Sequence, residues 1–138
     1  MKTNINTIAA FISAAIWADG VYDEAEKIAV EEIADALELD EAEFKSAIDE
    51  NLAKVRSMSA DEASEYLRIA SDDVDDEEIG ILYEAAMQIV ITDNKLSYTE
   101  VDNLLFIAEV LGIEDTMAVM LLADMVKTEP ELEIAFDE

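Results

Sequence analysis

Apolar residues recur along this chain at the spacing of helix faces. Ile5, Ile8, Ala9, Ile12, Ala15 and Ile16 follow i, i+3, i+4, i+7, which predicts a first helix over about residues 3–18 with one buried side. Asp19-Gly20 stops it. Asp23-x-x-Glu26 then has capping-box spacing, and Ala25, Ile28, Ala29, Ile33, Ala36 and Leu37 outline the buried stripe of a second helix, paired with the first as a hairpin. A third helix from about Asp40 to Val55 turns Phe44, Ala47, Ile48 and Leu52 inward. Ser59-x-x-Glu62 opens a shorter fourth helix with Ala63, Tyr66, Leu67 and Ala70.

Beyond an acidic stretch the pattern starts again. The fifth helix carries Ile79, Leu82, Tyr83, Ala86, Ile89 and Val90, each 74 residues after a core position of the first. Ser97-x-x-Glu100 caps a sixth helix with Val101, Leu104, Leu105, Ala108 and Leu111, ended by Gly112; a seventh carries Met117, Leu121, Leu122 and Met125. After Pro130, residues 131–138 mix acids with Leu132, Ile134 and Phe136, an acidic tail that either frays or docks. Sustained apolar–polar alternation is almost absent, and three glycines with one proline leave little turn chemistry for a sheet. The expected fold is all-α: one domain over residues 1–138, a compact bundle of about seven helices built from pseudo-repeats over about 5–55 and 79–127.

Composition narrows what such a bundle can do. Thirty-five Asp and Glu against eight Lys and Arg leave a net charge of −27, yet 52% of residues are hydrophobic, so the chain folds rather than joining the acidic disordered tails. That field repels phosphate backbones and anionic lipid, which argues against nucleic acid and direct membrane insertion, and it attracts cations and basic protein surfaces. With no cysteine and no histidine, disulfides, thiolate chemistry, imidazole bases and the usual zinc sets are absent, and only oxygen ligands remain. No apolar run approaches the ~20 residues of a spanning helix, and the N-terminus does not read as a signal peptide, so a soluble, cytoplasmic protein is expected.

The candidate chemistry lies where the repeat is sharpest. Ile16-Trp17-Ala18-Asp19-Gly20-Val21-Tyr22-Asp23-Glu24-Ala25-Glu26 returns as Val90-Ile91-Thr92-Asp93-Asn94-Lys95-Leu96-Ser97-Tyr98-Thr99-Glu100, with Asp and Glu seven apart in both copies. Numbered as a calcium loop, Asp19, Gly20, Asp23 and Glu26 fall at positions 5, 6, 9 and 12, but Ala15 and Trp17 at positions 1 and 3 carry no side-chain oxygen. Ile89 and Ile91 fail in the same places. Two readings stand side by side. In one, Glu26 and Glu100 only close capping boxes while Asp19 and Asp93 end helices. In the other, Asp19, Glu26, Asp93 and Glu100, helped by Asp23, come together across a pseudo-twofold axis and share calcium, manganese or magnesium.

The remaining features read as structure. Asp72 to Glu78 is a solvated charge run at a helix start, with a cation trap or docking strip as its alternative. Trp17, Tyr22, Tyr83, Tyr98 and Phe106 suit core or rim packing, and Met117, Met120 and Met125 suit core filling, with an adaptable interaction face as the alternative. No glycine-rich phosphate loop and no nucleophile–base motif is present, so no enzyme is expected.

Ala18-Asp19-Gly20-x5-Glu26 followed by Ile33-Ala34-Asp35-Ala36-Leu37, and Thr92-Asp93-Asn94-Lys95-Leu96-Ser97-x-x-Glu100 followed by Ile107-Ala108-Glu109-Val110-Leu111-Gly112-Ile113, resemble the tellurite-resistance TerB family over most of the chain. The likeness extends to the helical domain ahead of some membrane-anchored J-domain co-chaperones. It implies an all-helical fold with an internal repeat, an acidic surface, divalent-cation binding at Asp19, Glu26, Asp93 and Glu100, and a non-enzymatic part in a stress-response assembly. The partner it implies is a protein near the inner membrane. Asn94 stands where the family's turn commonly has Gly.

Overall fold

Helix starts follow from local capping chemistry. Asn4 Oδ1 accepts the Asn6 N–H at 2.8 Å at the head of α1, Ile5–Asp19. Asp23 caps α2, Glu24–Ala36; Asp40 caps α3, Glu41–Arg56; and Ser59 caps α4, Ala60–Ser71, each accepting the amide N–H three residues on. A 3₁₀ turn at Asp76–Glu78 leads into α5, Ile79–Val90, followed by α6, Tyr98–Leu111, and α7, Asp115–Thr128. The structure is a computed structural model that describes residues 2–19, 23–91, 95–128 and 133–135, with the side chains of 18–19, 95–98, 125–128 and 133–135 outside that description. Among these described residues the fold is an all-α bundle of seven helices. To it is added one three-residue parallel pairing of β1, Lys95–Ser97, with β2, Glu133–Ala135, in the register Lys95↔Glu133. Part of the acidic tail is therefore docked.

The centre of the bundle is α1. Every residue from Ile8 to Ile16 is buried, Ser13 among them, so the helix is apolar all round and is surrounded by α3, α5, α6 and α4. The expected hairpin of the first two helices opens out, because α2 lies against α3 and α5 instead. Its buried face turns with it. Glu26, Ala29, Val30, Ile33 and Ala34 face inward, whereas Ala25 and Ala36 are exposed and Ile28 is 52% exposed. Periodicity allowed either stripe; the two neighbours α3 and α5 select the one seen. Lys45 on α3 holds α2 through Glu31 at 2.6 Å and also pairs with Glu41 at 3.2 Å, and these carboxylates raise its pKa.

A buried polar node joins three helices. Asn51 Nδ2 donates to Ala47 O at 2.7 Å and to Asn6 Oδ1 at 3.0 Å, and the Tyr66 hydroxyl donates to Asn51 Oδ1. Burial raises the Tyr66 pKa, which keeps that hydroxyl a donor. Ser13 Oγ donates to Ile48 O at 3.3 Å, so α1 and α3 are tied twice.

The acidic run is structural at its end. Glu78 Oε1 accepts from the Thr3 N–H at 2.7 Å and the Thr3 hydroxyl at 2.6 Å, while its Oε2 accepts from the Lys2 N–H at 2.9 Å. These bonds, the Thr3 hydroxyl foremost, lower the Glu78 pKa. The Thr3 hydroxyl oxygen accepts from the Asp75 N–H at 3.0 Å, closing the clamp.

The expectation of core-filling methionines is corrected. Met117 and Met120 are 51% and 61% exposed, so neither fills the core; α7 buries Ala118 and Leu122 instead. The Met125 side chain lies outside the described residues. Tyr83 is fully buried and Phe106 half-buried, as packing residues, while Trp17 sits at the rim, 38% exposed. Tyr22 and the Tyr98 side chain lie outside the described residues.

Candidate functional site

Equivalent positions of the two repeats point inward together. On α2 the buried face runs Glu26, Val30, Ile33 and Ala34, and on α6 the residues 74 further on, Glu100, Leu104, Ile107 and Ala108, are buried too. Even the helix ends correspond: Glu38 at φ 57° and Gly112 at φ 83° follow α2 and α6. After them Leu39 N–H reaches Ala34 O, and Ile113 N–H reaches Ala108 O, both at 2.8 Å.

Glu26 has a geometry of its own. Its N–H donates to Asp23 Oδ1 at 3.0 Å and its Oε1 accepts the Asp23 N–H at 3.3 Å, a reciprocal capping box. The chain provides a comparison in the box of α4, where Ser59 N–H donates to Glu62 Oε1 at 3.0 Å and that hydrogen bond lowers the Glu62 pKa. Glu62 is exposed, as a cap ordinarily is; Glu26 is 1% exposed and Glu100 6%. Carboxylates almost never go so deep without compensation, because desolvating the charge costs several kcal/mol.

The five expected ligands divide as follows. Glu26 and Glu100 are buried, and Asp23 is exposed and occupied as a cap. The Asp19 side chain and Asp93 lie outside the described residues, as does the side chain of Ser97, the expected cap of α6. Among the described residues no three Asp or Glu gather where they could hold a metal ion.

The helices that flank the turns cross between repeats. Asn103 Nδ2 on α6 donates to Ala14 O on α1 at 3.3 Å, and Gln88 Nε2 on α5 donates to Glu32 Oε2 on α2 at 3.2 Å. Trp17, two residues before Asp19, and Thr99, one before Glu100, line the same groove. The exit of the first helix therefore lies beside the entry of the sixth. Chemically, the groove here offers the Asp102 carboxylate, the Ser64 and Thr99 hydroxyls and the Asn103 amide among apolar side chains.

That groove escaped the sequence reading. One wall is Ala60, Ala63, Ser64 and Leu67 of α4, and the other is Thr99, Asp102, Asn103 and Phe106 of α6. Ala14, Trp17 and Val55 complete a space of about 400 Å³. Both walls are i, i+3, i+4, i+7 stripes, visible in the sequence once the two helices are known to face each other. A second cleft, between α2 and α3, gathers Lys27, Lys45 and Arg56, an unusual concentration of cations in a chain with eight.

Residues 6–123 match the family described as tellurite resistance protein TerB. No curated protein and no solved structure matches the chain. The match spans most of the 138 residues, and the chain belongs to the TerB family.

Proposed function

We propose that this TerB-family chain is a non-enzymatic acidic module that holds a divalent cation, calcium, manganese or magnesium, at its paired turns. It works within a stress-response assembly of the tellurite-resistance kind, in the cytoplasm, beside a membrane-associated protein partner. No helix among the described residues is long and apolar enough to cross a membrane. The observation that carries the cation reading is the burial of Glu26 and Glu100 at equivalent positions, each seven residues after an Asp. Glu62, whose only evident task is capping, stays in water. Asp19 and Asp93 complete the ligand set, with Asp23 able to join at the mouth.

Titration with each cation, read by calorimetry and by thermal unfolding, tests this. At 100 times the dissociation constant a bound ion stabilises by ~2.7 kcal/mol. Glu26→Gln keeps the acceptor of the α2 capping box, and Glu100→Gln is the same near-isosteric change at the equivalent position, so each is expected to fold and to lose that shift. Unchanged heats and melting at millimolar ion, or an undiminished shift in both variants, would overturn the reading.

A second reading has its own support. Acids are the commonest exposed side chains among the described residues, against eight Lys and Arg in the whole chain; Glu24, Glu31, Glu41 and Glu77 are among those that meet a lysine. An acidic surface of this kind docks a basic partner without metal. A partner recovered at low salt, lost at high salt and indifferent to chelator supports docking; loss on chelation removes it.

A further inference from the structure

The groove between α4 and α6 has the form of a missing helix's seat. Its walls each present four residues at i, i+3, i+4, i+7, the stripe by which one helix meets another, and its floor is the tryptophan end of α1. Arg68, next along from Leu67, lies 5.6 Å from the Phe106 ring centre and joins the walls at that end. The lining is mostly apolar, with Ser64, Thr99, Asp102 and Asn103 supplying polar groups.

Charge selects the occupant. Asp102 lines the groove, and Asp61 and Glu65, each adjacent to a wall residue of α4, are exposed beside it. Among the described residues no Lys or Arg lines the groove itself: Arg68 reaches it only through the Phe106 ring and leaves the three acids in excess, and Arg56, next to Val55, serves the separate cationic cleft. A second copy of a chain carrying −27, an anionic membrane, or the acidic residues 131–138 would each bring like charge to this rim. The geometry points to a basic amphipathic helix of a partner protein, its apolar face on Trp17, Leu67 and Phe106 and its Lys or Arg flanks on Asp102, Asp61 and Glu65. This rests on the docking reading above and needs no cation.

Trp17 is the chain's one tryptophan, so its emission reports the groove alone. The probe is a 14-residue Leu/Lys peptide with leucines at i, i+3, i+4, i+7, titrated into the full chain in chelator, beside a shuffled peptide of equal composition. A saturable blue shift with the patterned peptide is expected, with the shuffled one at least about tenfold weaker. Ser64→Arg fills the wall and is expected to weaken binding at least about tenfold, whereas Asp49→Asn, an equal charge change at the cationic cleft, changes it less than about twofold. Circular dichroism checks folding, and Ala60→Arg replaces Ser64→Arg if that variant unfolds. No emission change, equal binding of the shuffled peptide, or full affinity in the wall variant overturns the seat. Equal shuffled binding would leave docking by charge intact, whereas docking itself falls if the salt series captures no partner or the captured one is lost on chelation.

Discussion

The first repeat and the second bury the same acid-led stripe but finish their outer helices differently. In the first, α3 buries Phe44, Ala47, Ile48, Asn51, Leu52 and Val55 against α1 and α2, with Tyr66 of α4 bonded to Asn51. In the second, α7 rests on α6, with Ala118 and Leu122 buried at the counterparts of Phe44 and Ile48. Its outward positions hold Met117, Val119 and Met120, all more than half exposed, where the first repeat has Glu43, Lys45 and Ser46. The inner helices differ too, since α1 is buried on every side from Ile8 to Ile16 while α5 exposes Glu84 and leaves Gln88 half-buried. A repeated interior thus survives where helices from both copies meet, and diverges where only one copy is covered.

The largest expected effect tests that asymmetry in the core. Ile48→Ala removes a fully buried side chain from the shared centre and is expected to cost about 2–5 kcal/mol, measured by urea unfolding. Leu122→Ala, at the equivalent position, is expected to cost less than half as much, because α7 is covered on one side. Equal losses would erase the distinction between the repeats.

A smaller effect sharpens their likeness. Glu38 and Gly112 share the left-handed conformation at equivalent helix ends, which costs a side-chain-bearing residue about 1 kcal/mol. Gly112→Ala is expected to destabilise by about that amount and Glu38→Gly to stabilise by somewhat less. Opposite signs in the two melting shifts are the signature; like signs would break the correspondence.

The smallest effect separates Asn4 from Glu78, again 74 residues apart. Asn4 caps its own helix, whereas Glu78 makes no side-chain cap and holds Lys2 and Thr3. A lowered carboxylate pKa means stability that is present above the usual 4.5 and lost as pH falls through the folded value. The stability difference between the native chain and Glu78→Gln is therefore expected to be level at neutral pH and to shrink below about 4.5. A difference that stays constant down to strongly acidic pH would show that the carboxylate's charge plays no part in the clamp.

Much of this was legible along the chain because it is local. Capping at Asp23, Asp40 and Ser59 needs only three following residues, and Gly112 ends its helix by its own conformational freedom. The 74-residue repeat, the acids at 26 and 100 and the TerB resemblance were likewise readable in order. The second helix's face was not, since Ile28 and Val30 are both plausible core residues until α3 and α5 are in place. Nor was the exposure of Met117 and Met120, which depends on what fails to cover them.

By itself, then, the sequence determined seven helices, their limits, an all-oxygen set of possible ligands and a field of −27. Tertiary structure decided that α1 and α5 each cross to the other repeat's second helix, that Glu26 and Glu100 leave water, and that α4 and α6 face each other across a groove. The reason is physical: caps and periods are properties of neighbouring residues, whereas burial belongs to pairs of surfaces that meet only when the chain has folded.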